Sequence, residues 1–307
     1  FEGTINDSLI EEMINEISHR GPDQKKIFKS QNSIFGFVRL KIIDLTDNAN
    51  QPFVSKDNKI KIIYNGEIYN FKELKDSYLR NIKFKSQGDG EVILHLYTKF
   101  GINFINKIKG MFSIAIIDQN LNKIFLIRDR FGIKPFYYYI DKSKFIFCSE
   151  IQGITKVLKK KLELNKNEAF KYFKQGLVSS SQETWFKDIF QVKQGCYLEI
   201  CGKDIVEKRY YKIEENIDEN LDKKNLSFKY YTEEFKKRIL NSFKQHNIYD
   251  VQAGVHLSGG VDSAVLAALS NYFKKNYKTF TFDFKNEKFS ELKYAQTISK
   301  SANLKNY

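Results

Sequence analysis

One loop in this sequence has the residue types that can hold a phosphate group: Ser258-Gly259-Gly260-Val261-Asp262-Ser263. Its glycines let backbone N–H groups approach an anion closely, its serines add hydroxyl donors, and Asp262 could hold a metal counter-ion. The apolar run Val255-His256-Leu257 predicts a short buried strand before the loop, and Ala264 to Leu269 predicts a helix after it. A helix N-terminus favours negative charge. Because no Walker lysine follows, the pattern indicates nucleotide chemistry of another kind rather than a plain turn.

Three polar clusters earlier in the chain could also do chemistry, and each has a structural alternative. Arg39 ends a predicted strand, where its guanidinium could bind a carboxylate bidentately or form a structural pair with Asp44. Asn65 and Gly66 could supply two donors to an oxyanion, although as a dipeptide after a strand they predict a hairpin turn. Asp89 lies in a glycine-containing loop, where it could cap the next helix or bind an ammonium group.

The elements that must position these clusters follow from the spacing of apolar residues. A first helix has one apolar face, from Leu9 to Ile17, and stops before Gly21-Pro22. A second helix is predicted over Val92 to Phe100. Short strands are predicted at Ile34 to Arg39, Ile60 to Tyr64, Phe112 to Asp118, Lys123 to Arg128, Phe136 to Ile140 and Lys144 to Phe147. Many short strands separated by turns predict a layered, mainly antiparallel domain with helices on its faces.

The last part of the chain has a different pattern. Residues 211–227 are polar and charged without an apolar face, which predicts a linker between a first domain at 1–210 and a second at 228–307. After the linker we expect a helix from about Tyr230 to Lys244, the strand and loop described above, a second strand at Thr279 to Phe284, and a helix near Glu291 to Ser301. This alternation predicts the start of a doubly wound parallel sheet.

Composition narrows the class of protein. The formal net charge is +14, but lysine is spread along the whole chain and no nucleic-acid motif accompanies it, so we expect no nucleic-acid partner. No apolar run reaches the roughly 20 residues that a membrane helix needs. The three cysteines, Cys148, Cys196 and Cys201, show no metal-site spacing, and their odd number argues against a disulfide framework. We therefore expect a reducing, cytoplasmic setting.

The order of the motifs carries more information than any one of them. The succession is similar to that of the glutamine-hydrolysing asparagine synthetases, over nearly the whole chain. The segments are His19-Arg20-Gly21-Pro22-Asp23, Arg39 to Leu45, Tyr64 to Phe71, Gly88-Asp89-Gly90-Glu91, Ile127 to Pro135, Cys148-Ser149-Glu150-Ile151 and the Ser258 to Ser263 loop.

The resemblance implies a fold and a reaction. Family members join an N-terminal-nucleophile glutaminase domain, an αββα sandwich, to an ATP-pyrophosphatase domain. In the family, a cysteine attacks the glutamine side-chain amide and releases ammonia, which passes to the second domain. ATP adenylylates the aspartate side chain there, and ammonia displaces AMP to give asparagine. The partners implied are therefore L-glutamine, L-aspartate and ATP with Mg²⁺, and because family members often dimerise, a homodimer.

By the same resemblance, two sets of residues have roles. Asn65 and Gly66 would form the oxyanion hole. The glutamine site would comprise Arg39, Leu40, Ile42, Asn65, Gly66, Glu67 and Asp89, with Arg39 on the α-carboxylate and Glu67 and Asp89 on the α-amino group. The ATP and pyrophosphate site would comprise Leu257, Ser258, Gly259, Gly260, Asp262, Ser263 and Phe282, with Asp262 also on Mg²⁺.

The departures from the family pattern set further expectations. The nucleophilic cysteine would lie upstream of Phe1, and a second acidic motif for Mg²⁺ and aspartate would lie beyond Tyr307, so we expect a fragment that lacks both activities alone. Cys148, Cys196 and Cys201 are expected to be small apolar or surface thiols. Two alternatives stay open: a related ligase that amidates another acid or closes a ring, and a non-catalytic nucleotide-binding module.

Overall fold

A computed structural model describes residues 7–30, 33–158, 160–176, 182–217, 226–273, 277–284 and 290–307. The chain divides into two units, Phe1–Asp218 (unit 1) and Glu219–Tyr307 (unit 2). Of the predicted linker at 211–227, residues 218–225 lie outside the described residues. The start of that segment is part of unit 1, because the Tyr211 backbone N–H donates to the Gly195 carbonyl at 3.1 Å.

The described part of unit 1 contains five α-helices and eleven strands. The helices are α1 (Asp7–Glu16), α2 (Phe71–Tyr78), α3 (Gly90–Phe100), α4 (Ile151–Leu158) and α5 (Lys166–Gln175). The strands are β1 (Gln24–Ser30), β2 (Ser33–Arg39), β3 (Phe53–Val54), β4 (Ile60–Ile68), β5 (Gly110–Asp118), β6 (Lys123–Arg128), β7 (Tyr137–Ile140), β8 (Phe145–Cys148), β9 (Ile189–Gln191), β10 (Cys196–Cys201) and β11 (Asp204–Arg209).

Two layers of antiparallel strands form the centre of unit 1. One layer is a six-stranded sheet in the order β11-β10-β6-β5-β4-β3, and the other contains the β1–β2 pair and the three-stranded sheet β8-β7-β9. Apolar side chains from both layers meet between them, including Phe37 of β2, Tyr138 of β7, Ala115 of β5 and Leu126 of β6. The alternation of apolar residues along these strands buries one face of each sheet in this shared core.

Helices cover the outer faces of both layers. Met13 of α1 and Ile154 of α4 pack with Tyr139 of β7 in a second apolar cluster. On the opposite side, Tyr97 of α3 packs against Phe125 of β6, with ring centroids 6.1 Å apart. The predicted αββα sandwich is therefore confirmed.

One local prediction in unit 1 is wrong. The Asn65-Gly66 dipeptide does not form a hairpin turn, because β4 continues through it to Ile68 and pairs with β5 along its whole length. Ladder pairing outweighs the local turn preference of the dipeptide.

Unit 2 has the strand–helix alternation that the sequence predicts. It contains α6 (Phe228–His246), β12 (Gly254–His256), α7 (Val261–Tyr272), β13 (Lys278–Phe280) and α8 (Leu292–Ser301). Strands β12 and β13 are parallel, and Asn306 forms a parallel bridge with Thr279. Leu257, Ala267 and Ala295 bury the contact between the strands and helices α7 and α8. The parallel arrangement is confirmed, although β13 ends four residues earlier than predicted.

In the part of the chain that the structure describes, no helix is both long enough and apolar enough to cross a lipid bilayer.

Candidate functional site

The seven residues predicted to bind glutamine line a single cavity in unit 1. The cavity has a volume of about 1430 Å³ and lies among the two sheets and the loops at their ends. Its lining includes Arg39, Leu40, Ile42, Asn65, Gly66, Glu67 and Asp89. These residues come from three separate segments of the sequence, and the fold brings the three to one place.

Strand β4 supplies one wall of this cavity. Ile63 points into the core between the sheets, so the alternation of a strand places Asn65 and Glu67 on the same face. Gly66, between them, has a φ of 154°, and an added Cβ would lie 2.1 Å from the Met111 carbonyl oxygen on β5. Only glycine fits here, because both the backbone angle and the space exclude a side chain.

The Asn65 side chain has an unusual environment. Its Nδ2 atom is buried and has no hydrogen-bond partner among the described residues. A buried amide donor without an acceptor costs roughly 1–3 kcal/mol, so such groups are rare in folded proteins. The side chain is therefore suited to a ligand oxygen in the cavity.

The outer edge of β4 is held by side chains on both sides of Gly66. Gln51 hydrogen-bonds both backbone groups of Tyr64, at 2.7 Å and 2.9 Å, and the Ile68 N–H donates to Oδ2 of Asp89 at 2.8 Å. Alternate residues of a strand direct their N–H groups to the same edge. The Gly66 N–H therefore lies on the edge between these two contacts, facing the same way as the Tyr64 and Ile68 N–H groups.

Arg39 lies at the end of β2 and is buried. Its two terminal nitrogens bind the following loop: one donates to the Thr46 carbonyl at 3.4 Å and to Oδ1 of Asn50 at 2.9 Å. The other donates to the carbonyls of Ile43 at 3.2 Å and Asp44 at 2.7 Å. Burial lowers the pKa of the guanidinium, and the surrounding acidic groups oppose that shift.

This geometry differs from both expectations for Arg39. It does not pair with the Asp44 carboxylate, because its contact there is with the main-chain carbonyl. Its two terminal nitrogens already donate to the loop, so no pair of N–H groups is left to bind a carboxylate bidentately. Only the Nε–H has no acceptor among the described residues. The reason is that a tight loop of carbonyls closes around the guanidinium.

Asp44 fastens that loop to the segment that carries Asp89. Its carboxylate accepts hydrogen bonds from the Thr46 N–H and hydroxyl, at 3.0 Å and 2.6 Å, and from the Ser86 hydroxyl and Gln87 N–H, both at 2.8 Å. Burial opposes ionisation, but these hydrogen bonds outweigh it and lower the pKa of Asp44 to about 2. The sequence alone did not single out this role.

Asp89 is directed into unit 1 and does not cap its own helix. It is the N-cap residue of α3, yet its side chain makes no capping hydrogen bond. Instead Oδ1 accepts from the Tyr64 hydroxyl at 2.6 Å, and Oδ2 from the Ile68 N–H. Burial raises the pKa of Asp89, and these two hydrogen bonds partly offset that rise. The capping alternative for Asp89 is therefore wrong, because both oxygens are used elsewhere.

The cavity is lined by groups of both charges. Arg39 contributes a positive group from β2, while Glu67 and Asp89 contribute acidic groups from β4 and the start of α3. An α-amino acid carries one negative and one positive group on the same carbon. The cavity therefore offers a complementary partner for each charge, together with the Asn65 donor.

Neither of the two buried cysteines has the environment of a nucleophile. Cys148 lies in β8 within the cluster beneath α1 and α4, and its burial raises the pKa of its thiol. Cys196 is buried in β10, where burial also raises its pKa, and Cys201 is exposed at the end of that strand. A nucleophilic thiol requires a lowered pKa, so these positions agree with the predicted structural and surface thiols.

The loop from Ser258 to Ser263 lies between β12 and α7 in unit 2, as its sequence predicts. The Ser258 and Ser263 hydroxyl oxygens are 3.0 Å apart, and the Gly260 N–H donates to the Ser258 hydroxyl at 3.2 Å. Gly260 is the N-cap of α7, so the backbone N–H groups of the first helical turn, which have no acceptor within the helix, lie at this loop. The Gly259 N–H donates to Oε2 of Glu291, at 3.4 Å.

The other residues predicted for this site have different exposures. Asp262 is exposed in the first turn of α7. Phe282 is 78% exposed, and its ring lies 5.3 Å from that of His256 at the carboxyl end of β12. Leu257, by contrast, is fully buried and packs with Ala267 and Ala295 in the core of unit 2. No group of three metal-binding side chains occurs among the described residues.

Both parts of the chain are similar to known proteins. Residues 2–211 match a family model described as glutamine amidotransferase domain, and residues 234–307 match one described as asparagine synthase. Glutamine-hydrolyzing asparagine synthetase 2 of Bacillus subtilis is 38% identical, covering 97% of this chain and 41% of the relative. A putative glutamine-hydrolyzing asparagine synthetase 2 of Methanocaldococcus jannaschii is 35% identical, covering 94% and 60%. Amidase chry2 of Gibberella zeae is 29% identical, covering 87% and 39%. The chain thus spans between 39% and 60% of the length of these relatives.

Proposed function

The chain belongs to the glutamine amidotransferase domain family, and from that membership we propose that it is part of a glutamine-dependent asparagine synthetase. Unit 1 hydrolyses the side-chain amide of glutamine to glutamate and ammonia. Unit 2 binds ATP, which adenylylates the side-chain carboxylate of aspartate with release of pyrophosphate. Ammonia then displaces AMP to give asparagine. The match to the asparagine synthase model and the two named synthetases support this choice of acceptor.

The observation that carries the proposal is the buried Nδ2 of Asn65, which has no hydrogen-bond partner in the described part of the chain and lies next to Gly66. Attack on the glutamine amide places negative charge on its oxygen. The Asn65 amide and the Gly66 N–H supply two donors from one strand to that oxygen. Preformed donors of this kind stabilise the tetrahedral intermediate more than the ground state, because the charge develops only on the way to it.

The charged groups of the cavity orient the substrate. The α-carboxylate of glutamine lies near Arg39, which offers its Nε–H, and near the main chain of Leu40 and Ile42. The α-amino group lies near Glu67 and Asp89. The other bonds of Arg39 hold the loop that forms this part of the wall, so the residue acts both on substrate and on the loop.

The nucleophile in this proposal is a cysteine upstream of Phe1. Its sulfur attacks the amide carbon, the thiol proton passes to the amide nitrogen so that the C–N bond breaks and ammonia leaves, and water then hydrolyses the thioester to give glutamate and the free thiol. Covalent catalysis divides one difficult hydrolysis into two easier steps. If the residues that precede Phe1 in the gene do not read Met-Cys-Gly, the glutaminase assignment fails.

In unit 2 the Ser258 to Ser263 loop binds the phosphates of ATP. Its backbone N–H groups, its serine hydroxyls and the N-terminus of α7 all favour an anion. Asp262 is one exposed carboxylate beside this loop, which fits Mg²⁺, since that ion is usually held by one or two carboxylates together with substrate phosphates. Mg²⁺ bound there would neutralise phosphate charge. Phe282 supplies an exposed aromatic face for the adenine.

A related ligase that amidates another carboxylate is the second candidate. Amidase chry2 matches 87% of this chain, so relatives with differently named activities share these segments. A non-catalytic nucleotide-binding module is a third candidate, and the cavity donors at Asn65 and Gly66 count against it. We also propose a cytoplasmic location, supported by three free cysteines, and a homodimer as the assembly.

The test is an isotope exchange of pyrophosphate into ATP by the full-length protein that carries this chain. We expect exchange only when aspartate is present. Exchange that depends on another acid, with aspartate inert, would move the protein to the second candidate. The Asp262→Asn variant should lose exchange and asparagine synthesis while retaining glutamine hydrolysis. Loss of both activities together would contradict two separable sites.

A further inference from the structure

The pairing of β3 with β4 stops at Phe53, before it reaches the Tyr64–Asn65 peptide. Phe53 pairs with Ile62 and Val54 with Lys61, and the same register extended backwards places Gln51 opposite Tyr64. The backbone of Gln51 does not take up this pairing. Its N–H and carbonyl instead bind the side chain of Gln24, both at 3.3 Å.

The side chain of Gln51 makes the ladder bonds that its backbone does not make. Its Oε1 accepts from the Tyr64 N–H at 2.7 Å, and its Nε2 donates to the Tyr64 carbonyl at 2.9 Å. A primary amide presents an N–H donor and a C=O acceptor side by side, as the backbone of a strand residue does to its partner strand. Gln51 therefore ends the β3–β4 ladder and also satisfies the last backbone groups before Asn65.

The Gln51 side chain is fixed in this position. The residue is only 8% exposed. Its neighbour Asn50 accepts a hydrogen bond from Arg39, so the same short segment connects the end of β2 to β4. The carbonyl that Gln51 holds belongs to the peptide unit between Tyr64 and Asn65, and rotation of that unit would redirect the Asn65 side chain.

From these contacts we propose that Gln51 is a positioning residue for the oxyanion donors of the glutaminase site. It fixes the Tyr64–Asn65 peptide so that Asn65 Nδ2 stays directed into the cavity, with no acceptor among the described residues. It also ends the pairing of β3 with β4, so that the N–H of Gly66, which faces the same edge as that of Tyr64, has no partner from β3. This inference rests on the proposed function. It assigns Gln51 no contact with the reacting atoms and gives it a role in transition-state stabilisation through Asn65 and Gly66.

Two variants of the full-length protein test the proposal. Gln51→Met keeps the approximate volume and removes both hydrogen bonds. We expect kcat for glutamine hydrolysis to fall about 10- to 100-fold, less than the loss of a whole oxyanion donor costs, with KM for glutamine within about threefold of wild type.

Gln51→Glu gives a sharper readout, because its two protonation states differ. The ionised side chain cannot donate to the Tyr64 carbonyl, whereas the neutral acid has one O–H donor and one carbonyl acceptor and restores both bonds. The ratio of variant to wild-type kcat should therefore rise as the pH is lowered from 8 towards the pKa of the glutamic acid, about 4.3 or higher when buried. Gln119→Glu is the matched control, since Gln119 donates to Ser30 at the opposite end of the β4–β5 pair. Its ratio should not change with pH.

Each other outcome overturns the inference. An unchanged kcat in Gln51→Met, a raised KM at constant kcat, or a Gln51→Glu ratio that does not depend on pH would each exclude a positioning role. If Gln51→Met does not fold, the pH response of Gln51→Glu decides alone. Failure of the proposed function is seen separately, because wild-type protein would then hydrolyse no glutamine, and the inference would fall with it.

Discussion

The hydroxyl of Tyr64 donates a 2.6 Å hydrogen bond to Oδ1 of Asp89, and this bond joins the strand that carries Asn65 to the loop that starts α3. Burial raises the pKa of Asp89, and the Tyr64 hydroxyl is the strongest of the groups that oppose that rise. Tyr64 therefore helps to keep Asp89 as a carboxylate. In the proposed function the charged form is needed, since only a carboxylate attracts the α-ammonium of glutamine.

Removing that hydroxyl should make glutamine binding more sensitive to acid. In Tyr64→Phe the pKa of Asp89 rises further, so Asp89 is protonated at a higher pH and its attraction for the ammonium group is lost there. We expect the pH at which glutamine binding fails on acidification to move upward, as measured by calorimetry between pH 5 and 8. Each unit of this shift corresponds to about 1.4 kcal/mol.

A matched pair outside the cavity provides the control for this prediction. Tyr97 donates to the buried Asp118 at 2.7 Å, and neither residue lines the cavity. Tyr97→Phe should leave the pH profile of glutamine binding unchanged. Parallel profiles for wild type and Tyr64→Phe would show that Asp89 does not bind the ammonium group.

Asn65→Leu should reduce activity without reducing stability. The substitution keeps the shape of the side chain and removes a buried donor that has no acceptor among the residues that the structure describes. We expect the free energy of unfolding to stay the same or rise by up to about 1 kcal/mol, while glutamine hydrolysis falls roughly 10²- to 10³-fold. Urea denaturation and the glutaminase rate of the full-length protein measure the two effects.

Asn70 allows the reverse comparison. It is buried, donates to the Lys107 carbonyl at 3.0 Å and accepts from the Lys109 N–H at 2.8 Å. Asn70→Leu should therefore destabilise unit 1 by about 1–3 kcal/mol. An equal destabilisation by Asn65→Leu would mean that Asn65 is satisfied within the fold and is not held for a ligand.

Asp44→Asn should destabilise unit 1 in a pH-dependent manner. The folded pKa of Asp44 is lowered from 3.8 to about 2, so its ionised form stabilises the fold above pH 4, and this contribution disappears as the pH falls towards 2. A shift of nearly two units corresponds to about 2 kcal/mol near neutral pH. Denaturation of wild type and variant at pH 7 and pH 3 should show a difference that shrinks in acid. Asp204→Asn, on the exposed strand β11, should show little difference at either pH.

Glu291→Gln should strengthen anion binding at the Ser258 to Ser263 loop. The Glu291 carboxylate accepts the Gly259 N–H, a donor that a phosphate oxygen would also use, and its charge repels phosphate. We expect magnesium pyrophosphate to bind about 10-fold more tightly to the variant at low ionic strength, with a smaller difference in high salt because the site is exposed. Glu233→Gln on α6 is the control. Equal affinity, or weaker binding, would show that Glu291 does not compete with the anion.

The sequence predicted the parts of unit 1 that depend on local patterns. The alternation of apolar residues predicted the bounds of β6 as the structure has them, and the residue types of Asn65, Gly66 and Asp89 singled out three residues that line one cavity. The hairpin at Asn65-Gly66 was wrong, because the pairing of β4 with β5 decides that conformation.

The supporting residues could not be predicted in this way. Gln51 matters because β3 and β4 have a particular register, and Asp44 matters because a loop about forty residues later folds against it. Neither relationship leaves a local pattern in the chain. The hydrogen bonds between the Arg39 guanidinium and the loop that follows it also depend on how the folded loop places four acceptor oxygens.

The outer edge of β4 has a further consequence, for association between molecules. An unpaired strand edge is a template on which another chain can add a strand. Beyond the end of β3, however, side chains of Gln51 and Asp89 occupy the backbone groups of Tyr64 and the N–H of Ile68. An incoming strand would find only the backbone groups of Gly66 between these two contacts, which is too little for a ladder. The contacts that shape the cavity thus also protect this edge from aggregation, and variants at Gln51 should be checked for solubility apart from activity.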